Sequence, residues 1–165
     1  MFLKPHSNKK QNKISGTFAV KFKTMYFELI FNSFAVDDLT SQDIIKILIQ
    51  SREFSSKHSI SGCLLYHNKE FLQILEGDEK VILDFFEVLC KDKRHSHVTL
   101  IHQERVEKKI FPNWSMAFKE LSDEDMTKLH NYINLHEFNN LMSTIEKPTT
   151  AKQLFGFISQ SILKD

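Results

Sequence analysis

The sequence predicts an α+β fold of the ferredoxin-like type, βαββαββ, with two helices on one face of a single sheet and C-terminal helices on the other. Three observations carry that expectation. From Met25 to Phe118 the hydrophobic period alternates between two and roughly 3.6, in the order strand, helix, strand, strand, helix, strand, strand. The first helical segment opens at a capping box, Thr40 with Asp43 three residues later, and the second begins at Asp78. Beyond Phe118 the pattern is helical only, which supplies apolar stripes for the sheet's second face.

Residues 1–24 are polar and aperiodic, and read as a disordered extension or as sequence upstream of a start at Met25. The segment MYFELIFN is the first strand, with Phe27, Leu29 and Phe31 on one face and Tyr26, Glu28, Ile30 and Asn32 on the other. The first helix buries Ile44, Ile47 and Leu48, and the same stripe continues into Ser51, Ser55 and His58, so it turns small and polar halfway down. Ile60–Tyr66 and Glu70–Glu76 form a hairpin about a turn at Asn68 and Lys69. A second helix from Asp78 to about Lys91 turns Val81, Phe85, Val88 and Leu89 inward. Strands at Val98–Arg105 and Trp114–Phe118 follow, separated by a KKIFPN loop that Pro112 keeps irregular. Helices at Ser122–Tyr132 with an SxxD cap, around Asn134–Ile145, and at Thr150–Leu163 with TxxQ complete the chain. Their apolar residues Met126, Leu129, Ile133, Leu135, Leu141, Leu154, Phe155, Ile158 and Ile162 cover the sheet. The organisation is a domain at 25–120 and a helical cap at 121–165.

A chain of 165 residues that is 41% hydrophobic and 12% aromatic buries a core without disulfides or metals. Lys+Arg is 22 against Asp+Glu 21, so no global field points to nucleic acid or an anionic membrane, and function sits in a local site. No apolar run reaches membrane-spanning length, and the lysine-rich N-terminus lacks the apolar core of a secretory signal, which points to the cytoplasm. Cys63 and Cys90, far from any CxxC spacing, read as buried thiols. A metal site from His95, His97, His102 and Cys90 is disfavoured, because His97 and His102 point to opposite faces of a strand. No phosphate-cradling glycine loop and no nucleophile beside a base emerge, so the chain reads as a non-enzyme.

One residue breaks the apolar pattern. Gln73 lies mid-strand in FLQILEGD, and a buried amide without partners costs roughly 1–3 kcal/mol, so partners are expected, from protein or ligand. With both helices over its face, Gln73, Ser51, Ser55, Asp92 and Arg94 converge on one cleft. The alternative is that the serines only permit close packing, Gln73 bonds a backbone carbonyl, and Asp92 and Arg94 form a helix-end ion pair.

The stretches SFAVDDLTSQDIIKIL, SISGCLLY at 59–66, FLQILEG at 71–77, KDKRHSHV at 91–98 and FPNWSM at 111–116 occur in the order that resembles the BLUF family of flavin-binding blue-light sensors. The resemblance spans about Tyr26 to Phe118. It implies FAD between the two helices, with Gln73 bonding the flavin's polar edge and Trp114 and Met116 carrying a light-driven hydrogen-bond change to the last strand. It implies that Ser51 keeps its usual place, and that Asp92 and Arg94 lie near the flavin's sugar and phosphate tail. The family's electron-donating tyrosine on the first strand is Phe31 here, and its flavin-contacting asparagines are Phe54 and Ser55. A phenyl ring donates no hydrogen bond, so the usual photocycle is expected to be absent or rerouted, with Trp114 rather than Tyr66 the nearest replacement donor. Two readings follow. One is a short BLUF protein that binds FAD and senses blue light, or redox or flavin status if the missing tyrosine ends photochemistry, and signals to a separate protein, with a homo-oligomer as a further expected partner. The other is a flavin-free adaptor in which Phe31 and Phe54 fill the old pocket.

Overall fold

Alternation along the first strand sets the layers. β1 (Tyr26–Ala35) sends Phe27, Leu29 and Phe31 into one core with Leu64, Phe71 and Leu75, and Ile30 into another with Leu65, Leu72 and Ile74. This computed structural model describes residues 24–133 and 148–162, so the expected extension before Thr24 and the helical pattern at 134–145 lie outside them.

α1 (Ser41–Lys57) opens with the expected capping box, in which Thr40 and Asp43 satisfy each other's backbone N–H groups. β2 (Ser61–His67) and β3 (Glu70–Gly77) form the hairpin, with Asn68 and Lys69 at φ 46° and 68°, a pairing of positive angles that matches the right-handed twist of the strands. Gly62 is required by proximity: a Cβ there would lie 2.0 Å from the Ile74 carbonyl oxygen. α2 (Glu79–Cys90), β4 (His95–Val106) and β5 (Ala117–Glu120) complete the sheet in the order β4-β1-β3-β2-β5. β5 runs parallel to β2 and all other pairs are antiparallel.

Several boundaries and faces differ from expectation. β4 starts at His95, before Val98, because register shifts opposite β1 and His97 at φ 50° let the strand continue through a bulge. β5 starts at Ala117 opposite Cys63; Trp114 is held in the preceding turn, its N–H on the Phe111 carbonyl and its carbonyl accepting the Gly62 N–H. In α2 the buried anchors are Ile82 and Leu89, while Val88 is 67% exposed on the flank. Cys63 is buried, and burial pushes its thiol up, but Cys90 is exposed at the end of α2.

α3 (Asp123–Ile133) starts at the expected Ser122/Asp125 cap. α4 (Pro148–Phe157) starts before Thr150, since proline suits a first helical turn that has no use for its missing N–H, and runs into a π-helical turn at Ile158–Ile162. Met126, Leu154, Phe155 and Ile158 pack on Leu72 and Ile74, so the helices cover the second face. The side chains of Leu129, Ile133, Leu135, Leu141 and Ile162 are outside the described set.

Two acids are buried under this cap. Glu28 and Glu76 are directly opposite in the β1–β3 register and 1% and 0% exposed, and burial raises both carboxyls above the usual range. Glu76 accepts the N–H groups of Ile110 and Phe111, which ties the loop before β5 to the sheet. Glu76→Gln replaces one acceptor oxygen by a donor facing an N–H, and is expected to cost roughly 1–3 kcal/mol, read as a lower urea midpoint. An unchanged midpoint would mean the loop is held by packing of Phe111 alone.

Candidate functional site

Between α1 and α2, above the sheet, lies a cleft of about 440 Å³. Helical spacing along α1 brings Ile47, Ser51, Phe54 and His58 to one wall, and α2 supplies Val81, Phe85, Val88 and Leu89 to the other. Leu64 and Gln73 form the floor, and Gln50, Asp92, Arg94 and His95 line an end that opens to solvent past Arg94. Val88 lines the cleft although it is largely exposed, so the expected apolar stripe of α2 borders the cleft.

Gln73 has protein partners. Its Nε2 donates to Ser51 Oγ at 3.2 Å and to Met116 Sδ at 3.5 Å, and the residue is 3% exposed. Directly opposite in register lie Phe31 on β1 and Leu64 on β2. Phe31 is buried beneath the cleft, its ring 5.4 Å from Phe86.

At the open end Arg94 Nε lies 3.0 Å from both Asp92 carboxylate oxygens, and Nη1 donates to Gln50 Oε1 at 2.7 Å. The Arg94 hydrogen bonds hold the Asp92 carboxyl below the usual carboxylate range. His95 is held below the ordinary imidazole value by burial, and its Nδ1 lies 2.9 Å from Ser33 Oγ.

The structure therefore brings together Gln73, Ser51, Phe54, Asp92 and Arg94 on the cleft, with Met116 joined through Gln73. Ser55 is buried beside the wall without lining it, and its Oγ has no hydrogen-bond partner among the described residues. Trp114, at 46% exposure in the turn before β5, does not line the cleft. Sequence reasoning passed over His95 and Phe85 as site residues, although His95 follows Arg94 directly and Phe85 sits on the α2 stripe. It also set Tyr66 aside, yet Tyr66 shares the cleft-side core with Leu64 and Phe71. Across the cleft Phe54 stacks on Phe85 at 4.4 Å, and His58 packs against Phe54 at 4.2 Å. The other histidines disperse, with His97 exposed against Phe34 and His102 facing the cap. There, Glu28, His102 and Glu104 lie within 4.8 Å of one another, and Lys152 reaches into the group, 3.3 Å from Glu28 and bonded to Glu104. That cluster is an ion-pair network.

The family model described as sensors of blue-light using FAD matches residues 25–117. Photoactivated adenylate cyclase subunit beta of Euglena gracilis is 27% identical over 90 residues, 54% of this chain and 10% of that protein. The blue light- and temperature-regulated antirepressor BluF of Escherichia coli (strain K12) is 27% identical over 74 residues, 45% of this chain and 18% of that one. The chain thus spans about a tenth of the length of the cyclase it matches. Among solved structures, the dark state of BlrB, a BLUF protein, aligns with a TM-score of 0.69 at 23% identity, covering 85% of this chain and 99% of that one. The ground state of BlsA aligns at 0.70 and 24% identity, covering 81% and 87%. These likenesses concern the fold.

Proposed function

Because the chain belongs to the family of sensors of blue-light using FAD, we propose that it binds FAD in the cleft and senses light without a hydroxyl at the first-strand position that Phe31 fills, passing the signal to a separate protein. The observation that carries the proposal is Gln73, an amide on the floor of the cleft that is bonded, among the described residues, only to a hydroxyl, Ser51, and a thioether, Met116. When bound, FAD supplies a chromophore that absorbs blue light and, once excited, accepts an electron.

The residues suit such a ring. Ile47, Val81 and Leu89 offer flat apolar walls that exclude water, and the Gln73 amide offers a directional polar contact. Arg94, fixed by Asp92 and Gln50, presents its guanidinium where an anionic tail would leave the cleft. Turning the Gln73 amide gives up one bond to a hydroxyl and one to a thioether, which is a weak acceptor, and Met116 hands the change to β5 on the sheet's edge. The matched stretch makes up 10% and 18% of the relatives named for cyclase and antirepressor activity, which supports a sensing role for it, with the output lying outside the matched residues. No catalytic activity is proposed for residues 25–120. No described helix is long and apolar enough to cross a membrane, and the exposed thiol of Cys90 suits a reducing compartment such as the cytoplasm.

A second reading has its own observation. The Phe54–Phe85 stack bridges the two walls where a ring would enter, which favours a flavin-free interaction module. Titrating the purified protein with FAD and recording its visible spectrum in the dark and after blue light separates the two. Saturable uptake with a light-dependent shift is expected; a protein that stays colourless sinks the proposal. Phe54→Ala opens the wall, and is expected to tighten FAD uptake if the stack competes with the ring, whereas a variant as colourless as the parent would favour the module.

A further inference from the structure

We propose that Tyr66 is the residue that gives an electron to the excited flavin, the part that Phe31 cannot take; this rests on the flavin-binding reading above. Among the described residues, the readily oxidised aromatic side chains are Tyr26, Tyr66 and Trp114. Tyr26 opens β1 on the parity of Ile30, the cap side, with the Lys109 ammonium 4.9 Å from its ring centre. Trp114 is half exposed in the turn before β5 and does not line the cleft.

Tyr66 lies on the cleft side. In the β2–β3 register Leu64 faces Gln73 and Tyr66 faces Phe71, so Tyr66 is the diagonal neighbour of Gln73 on the same face, at about 7–8 Å. Its ring packs on Phe71 at 5.0 Å, and Phe71 packs on His95, a cleft-lining residue, at 5.0 Å. Continuous aromatic contact therefore runs from the phenol to the cleft. The ring is only partly buried, which leaves a route for its proton. On excitation one electron leaves the Tyr66 phenol for the flavin and the hydroxyl proton leaves to solvent. In the dark both return to Tyr66, the flavin gives back its electron, and no net oxidation remains.

The test uses the FAD-loaded protein. Tyr66→Phe is isosteric apart from the hydroxyl and is expected to lengthen the flavin fluorescence lifetime several-fold and to abolish a tyrosyl-radical band in transient absorption. Tyr66→Trp, which keeps an oxidisable ring, is expected to restore the short lifetime. An unchanged lifetime in Tyr66→Phe, or a long one in Trp114→Phe alone, overturns the assignment while leaving flavin binding intact. A protein that takes up no FAD overturns both.

Discussion

Phe31→Tyr raises the yield of the blue-light-induced absorption change in the FAD-loaded protein well above that of the parent. The reason is register. Phe31 and Gln73 are directly opposite on β1 and β3 and point to the same face, so their Cβ atoms are about 5 Å apart, whereas Tyr66 reaches Gln73 only diagonally. A hydroxyl added at position 31 donates to the amide that the rearrangement must turn, and joins electron donation and hydrogen-bond exchange in one pair of side chains. Phe31 is 1% exposed, so the new group must find that partner. If it does, stability stays within about 1 kcal/mol of the parent; an unsatisfied hydroxyl would cost roughly 1–3 kcal/mol. A variant that is destabilised and shows no gain in light response would mean that the Gln73 amide is out of reach of position 31.

Lys152→Met is expected to destabilise the protein by about 2 kcal/mol near neutral pH, with a deficit that shrinks as the solution is acidified. Lys152 lies 3.3 Å from Glu28, which is 1% exposed, and also bonds Glu104, so it fastens α4 to β1 and β4. Without it Glu28 keeps a buried charge with no cation beside it. Burial already raises the Glu28 carboxyl above its ordinary 4.5, so the folded state binds a proton more tightly than the unfolded chain does. For such an acid, stability falls as pH rises through the window between the unfolded and the raised folded value, and is recovered below the unfolded one. Removing Lys152 raises the folded value further and widens that window. Thermal melts from pH 8 to pH 4 read the effect directly. A deficit that is constant with pH would mean that Lys152 contributes packing of its stem and not charge.

Much of the sheet was legible because alternation is a strong signal where both faces are buried: the parity of Phe27, Leu29 and Phe31 against Ile30, and of Phe71 and Gln73 against Leu72 and Ile74, is that of the structure. Gln73 stood out as the polar break in that pattern, and Ser51 followed from helical spacing. Less was visible where a local event interrupts the period. The bulge at His97 lengthens β4 by a pairing that hydrophobicity does not encode, and the Gly62–Trp114 bond delays β5, which took Trp114 off the strand on which it was expected. Val88 was read as core because a stripe facing a cleft and a stripe facing a core have the same spacing. The Phe54–Phe85 stack and the Tyr66–Phe71–His95 contacts join residues from separate elements, and no window of sequence contains them.

The parity of β3 divides what the chain can inherit. Phe71, Gln73 and Leu75 lie on the cleft side of the sheet, while Leu72, Ile74 and Glu76 lie on the cap side, and the two sets share a backbone but face different layers. A substitution at an even position of β3 is therefore felt by the packing of the cap, and one at an odd position by the cleft side, so one strand offers two separate handles, alternate residue by alternate residue.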